Sequence, residues 1–144
     1  MALRAAMPVI LIGVCLARTA AASPAQDYVL NCMGCHGSDA AGIPGKVPPL
    51  RDSLSRFMRT PAGRSYVLRV PGAANSALSD TQLAAVLNWL AVTFDHGAPA
   101  NNRAPFTSTE VARLRHMPLV SVLAARSAVV RELAATGPAP VERY

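Results

Sequence analysis

Two thiols and an imidazole fall within five residues, in the run Cys32-Met33-Gly34-Cys35-His36. One chemistry uses all three groups at this spacing: covalent attachment of a c-type haem. Thiols separated by one helical turn can each add to a vinyl group of the macrocycle, and the next residue turns its imidazole under the iron. Gly34 leaves room for the porphyrin edge to approach the backbone. Other uses of the pair need other company. A thioredoxin-like dithiol sits beside a βαβ unit, and the chain shows no strand ladder. A zinc site needs a second ligand pair, whereas His96 and His116 stand alone. A disulfide across the short loop, with His36 incidental, stays open as a third reading.

The elements around the pentad read as helices. A short helix over 25–31 runs into Cys32, and the Gly- and Pro-rich stretch 34–50 predicts an irregular loop. Residues 54–59 form a short helix stopped by Pro61. Residues 65–70 read as a helical turn or extended chain, ended by Pro71-Gly72. The clearest helix covers 80–94. Ser79 with Gln82 has the form of a capping box, and Leu83, Val86, Leu87 and Leu90 make one buried stripe flanked by Trp89. A linker follows over 97–106. Thr107 and Glu110 suggest a second capping box, opening a helix to about Met117. Pro118 interrupts it, and helical spacing resumes over 119–136 with Val122, Leu123, Val129, Val130 and Leu133. The reading is an all-α chain: a domain over 24–96, the linker, and a helical C-terminal extension over 107–144 whose last residues fray.

The N-terminal segment has the form of an export signal. Arg4 is the single charge before an apolar run over 5–17, and Ala20-Ala21-Ala22-Ser23 offers small residues for cleavage. The expectation is a signal peptide over 1–22 and a soluble domain in the periplasm, with membrane attachment only if that segment stays uncleaved. The run is shorter than the roughly 18 residues a membrane span needs. Cleavage would remove Cys15, leaving Cys32 and Cys35 as the cysteines. It would also remove Arg4 and Arg18, lowering the formal charge of +6 by two. That residual charge is a weak case for nucleic acid as a partner. Alanine supplies much of the 51% hydrophobic content and aromatics only 5%, so a buried prosthetic group would add to an otherwise thin core.

From about Ala25 to Phe94 the chain resembles the class I cytochrome c family. The match rests on Asp27-Tyr28-Val29-Leu30-Asn31 running into the pentad, on Val47-Pro48-Pro49-Leu50, and on Leu78-Ser79-Asp80-Thr81-Gln82-Leu83 running into Trp89. The resemblance implies a small all-α cytochrome c fold around one covalently attached haem c. It makes Cys32 and Cys35 the thioether residues and His36 the proximal iron ligand, and it offers the Pro48 carbonyl as acceptor for the imidazole's other N–H. The family usually supplies a distal Met from the loop before the last helix. Here that loop, 69–78, holds neither Met nor His. Met33 lies between the attached cysteines, on the wrong side. Met58 is the remaining candidate for distal ligand, set against a plain packing role, with His96 and His116 behind it.

Function follows as an expectation of one-electron transfer between redox partner proteins, with no bond-making on a substrate. Residues 63–72 look more loosely like small cytochromes that accompany periplasmic dehydrogenases, so a dehydrogenase or oxidase is the expected partner. Arg51, Arg56, Arg59, Arg64 and Arg69 lie close in sequence with Asp52 as the single acid among them. They read either as a solvated face or as a patch that steers an acidic partner. Two alternatives stay open: a haem protein that binds or senses small molecules at an open distal site, and a fixed cytochrome subunit of a dehydrogenase or oxidase complex.

Overall fold

The computed structural model describes residues 22–96 and 104–137, and the regular elements among them are all α-helices. The predicted signal segment, apart from Ala22, lies outside the described residues, as do most of the predicted linker and the chain's last seven residues. In chain order the helices are α1 (Pro24–Asn31), α2 (Met33–His36), α3 (Leu54–Phe57), α4 (Pro61–Arg69), α5 (Pro71–Ala74), α6 (Asp80–Thr93), α7 (Ser108–Leu114) and α8 (Val122–Thr136).

Short side-chain caps set where the longer helices begin. Ser23 and Gln26 form a reciprocal capping box on α1, with Pro24 in the first turn. Ser79 and Gln82 do the same on α6. Thr60 accepts from the Gly63 N–H to open α4, and Ser121 accepts from the Ala124 N–H to open α8. The Pro61 read as a stop is therefore a start. Its fixed φ and missing N–H suit a first helical turn, and α4 begins four residues earlier than expected. Pro71 likewise opens the single turn α5.

α1 and α6 cross through an aromatic cluster. The Tyr28 ring lies 5.7 Å from Trp89 and 6.0 Å from Phe94, and Trp89 meets Phe94 edge-on at 5.6 Å. Gln82 ties the same crossing from its polar side. Its carbonyl oxygen caps Ser79, while its amide nitrogen donates to the buried Asp27 carboxylate at 3.4 Å.

The C-terminal helices share this core. Leu68 of α4, Val86 of α6, Val111 of α7 and Leu133 of α8 are all fully buried. Phe106, placed by sequence in the linker, is buried too, and exchanges two hydrogen bonds with the Asn88 side chain at 2.8 and 2.9 Å. Three arginines stitch the extension to the front of the chain. Arg64 donates to the Glu110 carboxylate at 2.7 Å and to the Ala104 carbonyl, with its guanidinium 4.3 Å over the Phe106 ring. Arg69 donates to the carbonyls of Met117 and Pro118. Arg115, itself buried, donates to the carbonyls of Ser76 and Leu78 and to the Asp80 carboxylate. Half of the second predicted capping box is present: Thr107 accepts from the Glu110 N–H, but the Glu110 carboxylate is taken by Arg64.

Candidate functional site

A largely apolar crevice of about 340 Å³ runs between α2, the loop that follows it, α4, α6 and α8. Cys32, Cys35 and His36 all line it. Cys32 breaks the helix between α1 and α2 and is half-buried, while Cys35 is exposed one turn later. Both thiols are free. Burial pushes the Cys32 thiol's pKa up, and the neighbouring Asp27 and Cys35 add to that rise.

The imidazole is fixed from behind. His36 Nδ1 lies 3.0 Å from the Pro48 carbonyl. A carbonyl can only accept, so Nδ1 carries the hydrogen, and in the neutral ring Nε2 is left with a lone pair. Burial lowers the ring's pKa below the ordinary histidine value, opposed by the bond to Pro48, so the ring favours the neutral form that donates to a metal. A carbonyl bonded to the far nitrogen in this way orients a ligating imidazole and raises its basicity. Pro48 is presented by a tight loop. The Gly42 N–H donates to the His36 carbonyl at 2.8 Å, and the Ile43 N–H to the Val47 carbonyl at 2.9 Å. Gly42 has φ +70°, and a Cβ there would fall 2.7 Å from the Pro48 carbonyl oxygen. Only glycine fits a backbone that is left-handed and this closely approached.

The rest of the lining has a different make-up. Gly72, Ala73 and Ser76 line the crevice in the stretch before α6, beside Tyr66, Val67 and Val70 of α4 and the residue after it. His36 is the sole imidazole among the lining residues, and none of them is methionine. Met58 sits at the end of α3, buried within the hydrophobic core and apart from the crevice lining. His96 is exposed after α6, with its ring 3.4 Å from the Asp52 carboxylate. His116 lines a separate depression beside Arg69 and Arg115. The residues that sequence reasoning missed are Val122 and Arg126, which α8 brings to the crevice wall. A signal did exist: Val122, Arg126, Val129 and Leu133 recur at the spacing of one helix face, with a charge inside an apolar stripe.

The rival uses of the pair find no frame. Among the described residues there are no β-strands for a βαβ unit, and no three His, Cys, Asp or Glu side chains gather as a metal cage. By contrast an apolar crevice lined by two free thiols and a neutral, oriented imidazole fits a haem in donor chemistry and surroundings. No protein-family model matches the chain. Individual relatives do match. Cytochrome c-552 of Thermus thermophilus is 32% identical over 103 residues, which cover 59% of this chain and 79% of that one. A second cytochrome c-552 from the same species shows the same identity, over 59% of this chain and 70% of the relative. The chain belongs to the monohaem c-type cytochromes. A c-type cytochrome of this kind carries one covalently bound haem c and works as an electron carrier with redox partner proteins. Among the described residues no helix is long and apolar enough to cross a membrane.

Proposed function

We propose that this cytochrome is an exported one-electron carrier whose haem is held by thioethers from Cys32 and Cys35, with His36 as proximal iron ligand. The observation that carries the reading is the 3.0 Å contact from His36 Nδ1 to the Pro48 carbonyl, made in the crevice that both thiols line. The haem supplies the ferric–ferrous couple. The chain orients the imidazole through Pro48, and Leu83, Val86, Leu87 and Leu90 of α6 would offer the macrocycle an apolar lining. Met58 takes no part in the proposed coordination, because its side chain belongs to the core. Export rests on the apolar run over 5–17 and the small residues that follow it, and places the carrier in the periplasm.

For the partner we propose a periplasmic dehydrogenase or oxidase, docking at the crevice mouth through a small, transient contact. Lys46 is exposed there and lines the crevice, and Arg51, 39% exposed beside Asp39, is close in sequence. Arg64 and Arg69 drop out of that patch, since their guanidinium groups hold the C-terminal segment. A second reading has a specific observation behind it: with no Met or second His lining the crevice, an iron held by His36 would have room for a small molecule on its other side.

Wild-type chain and a Cys32→Ala/Cys35→Ala variant, both made in cells that attach haem c, test the first reading. Haem staining after denaturing electrophoresis shows covalent haem in the wild type and none in the variant, with one haem per chain by the pyridine haemochrome spectrum. Haem that washes out of the wild type on denaturation overturns it. The ferric spectrum then decides between the two readings. A high-spin spectrum that shifts when carbon monoxide is added to the reduced protein selects the open site.

A further inference from the structure

Large apolar side chains stand exposed together at one place in the chain. Among the described residues eight are exposed, and four of them, Met117, Val120, Val122 and Leu123, fall within seven residues. Val120 is 107% exposed and Leu123 61%, so this ridge between α7 and α8 projects from the surface. It is firmly supported all the same. Arg69 donates to the carbonyls of Met117 and Pro118 at 2.7 Å, Leu119 packs against the core, and Ser121 caps α8. An apolar patch that the fold presents in this way marks a surface for a protein or a membrane.

The charges beside the ridge decide between those two. A depression of about 270 Å³ borders it, lined by Met117, Leu119 and Val122 of the ridge and by Arg69, Arg115 and His116. Among the described residues no Asp or Glu lines it. Arg115 is paired with Asp80. Arg69 bonds neutral oxygens, the two carbonyls and the Ser65 hydroxyl, which leaves its charge uncancelled. In sequence, residues 111–131 hold four arginines and no acid. We propose that the ridge and this depression form one docking surface for an anionic phospholipid membrane, the apolar tip entering the interface and the cations meeting headgroup phosphates. Aliphatic side chains beside basic ones are the pattern of an interfacial anchor, and each cation near an anionic surface adds to the attraction. A soft lipid interface takes a projecting tip as it stands, whereas a protein would need a cavity shaped to Val120. The surface does not depend on which groups hold the haem. It bears on the carrier nonetheless: Val122 lines both this depression and the crevice of Cys32, Cys35 and His36, so a docked chain holds that crevice close to the membrane.

The test is flotation of the exported holoprotein with vesicles of phosphatidylcholine alone or with about a third phosphatidylglycerol. N-terminal sequencing first shows whether the apolar run over 5–17 is gone, since an uncleaved segment would bind lipid by itself, and every variant is compared at the same N-terminus. Wild type should bind the phosphatidylglycerol vesicles at least about tenfold more strongly than phosphatidylcholine alone, and less as salt is raised. Val120→Ser/Leu123→Ser should weaken that binding about tenfold or more. Asn75→Asp/His116→Asp puts acids into the lining of the depression and spares both arginines, and should weaken binding by a similar factor. All four positions are exposed, so covalent haem and helical content should stay as in wild type. A wild-type chain that floats with neither vesicle overturns the proposal, as does binding that either double variant retains in full. Two further results overturn it by reassigning the surface. A thermal midpoint raised by inorganic phosphate without flotation is an anion site alone. Self-association that Val120→Ser/Leu123→Ser abolishes, again without flotation, is a contact between copies of this chain.

Discussion

The two walls of the crevice are built in opposite ways. The His36 wall is local: Cys32, Cys35, His36, Gly42 and Pro48 lie within seventeen residues and hold one another through short backbone bonds. The other wall is assembled over long sequence distances. Small residues before α6 form part of it, α4 another part, and α8, more than forty residues further on, completes it with Val122 and Arg126. A wall made locally can be read from a motif. A wall made by distant segments depends on what packs behind it, so it can change its chemistry while the motif stays put.

The largest effect is expected where the distant wall is anchored. Leu133 is fully buried, as is Leu68 of α4 in the same core. Leu133→Ala should cost about 3 kcal/mol, within the range for a buried leucine that leaves a cavity, measured as a lower thermal midpoint of the holoprotein. The comparison sharpens if the ferric form also binds azide faster while the haem stays covalently attached. It breaks if stability is unchanged, because α8 would then be decoration on a core complete without it.

On the local wall, Gly42→Ala puts a Cβ against the carbonyls of Val47 and Pro48 on a backbone with φ +70°. Strain of that kind costs about 1–3 kcal/mol, and the middle of that range is expected here. Because Pro48 orients His36, the change should also shift the reduction potential, which Leu133→Ala should move far less. A variant that loses stability with an unaltered potential would show that the loop can carry the strain without passing it to the imidazole.

Legibility in the sequence follows the same division. The helix into the pentad and the capped helix of Ser79 and Gln82 could be read, because each is a short-range pattern with its own physical cause, whereas the Pro48 acceptor followed only from the resemblance to the class I cytochromes c. The start of α4 could have been read and was not: Thr60-Pro61 is a cap followed by a first-turn proline, but Pro61 looks like a stop when the apolar pattern before it is short. Arg64 and Arg69 could not be read. A run of arginines looks solvated or partner-facing from composition, and only tertiary structure brings Glu110 and the Met117 and Pro118 carbonyls to them. The same holds for Phe106, whose neighbours in sequence look like linker while its partner, Asn88, is a helix away.

The smallest expected effect isolates the distant wall most cleanly. Ser121 caps α8 by accepting the Ala124 N–H at 3.2 Å, and it is exposed. Ser121→Ala removes the cap and leaves the core side chains as they are, so the expected cost is about 1 kcal/mol. Val122 is the next residue and lines the crevice, and Arg126 follows one turn later. Fraying the first turn of α8 should therefore loosen that wall before it loosens the fold. Hydrogen exchange of the amides at 124–127 should quicken while those of Leu87 and Leu90 in α6 stay protected. Equal quickening in both helices would mean that the two walls open as one cooperative unit, and that the division between a local and a distant wall describes only how the crevice is built.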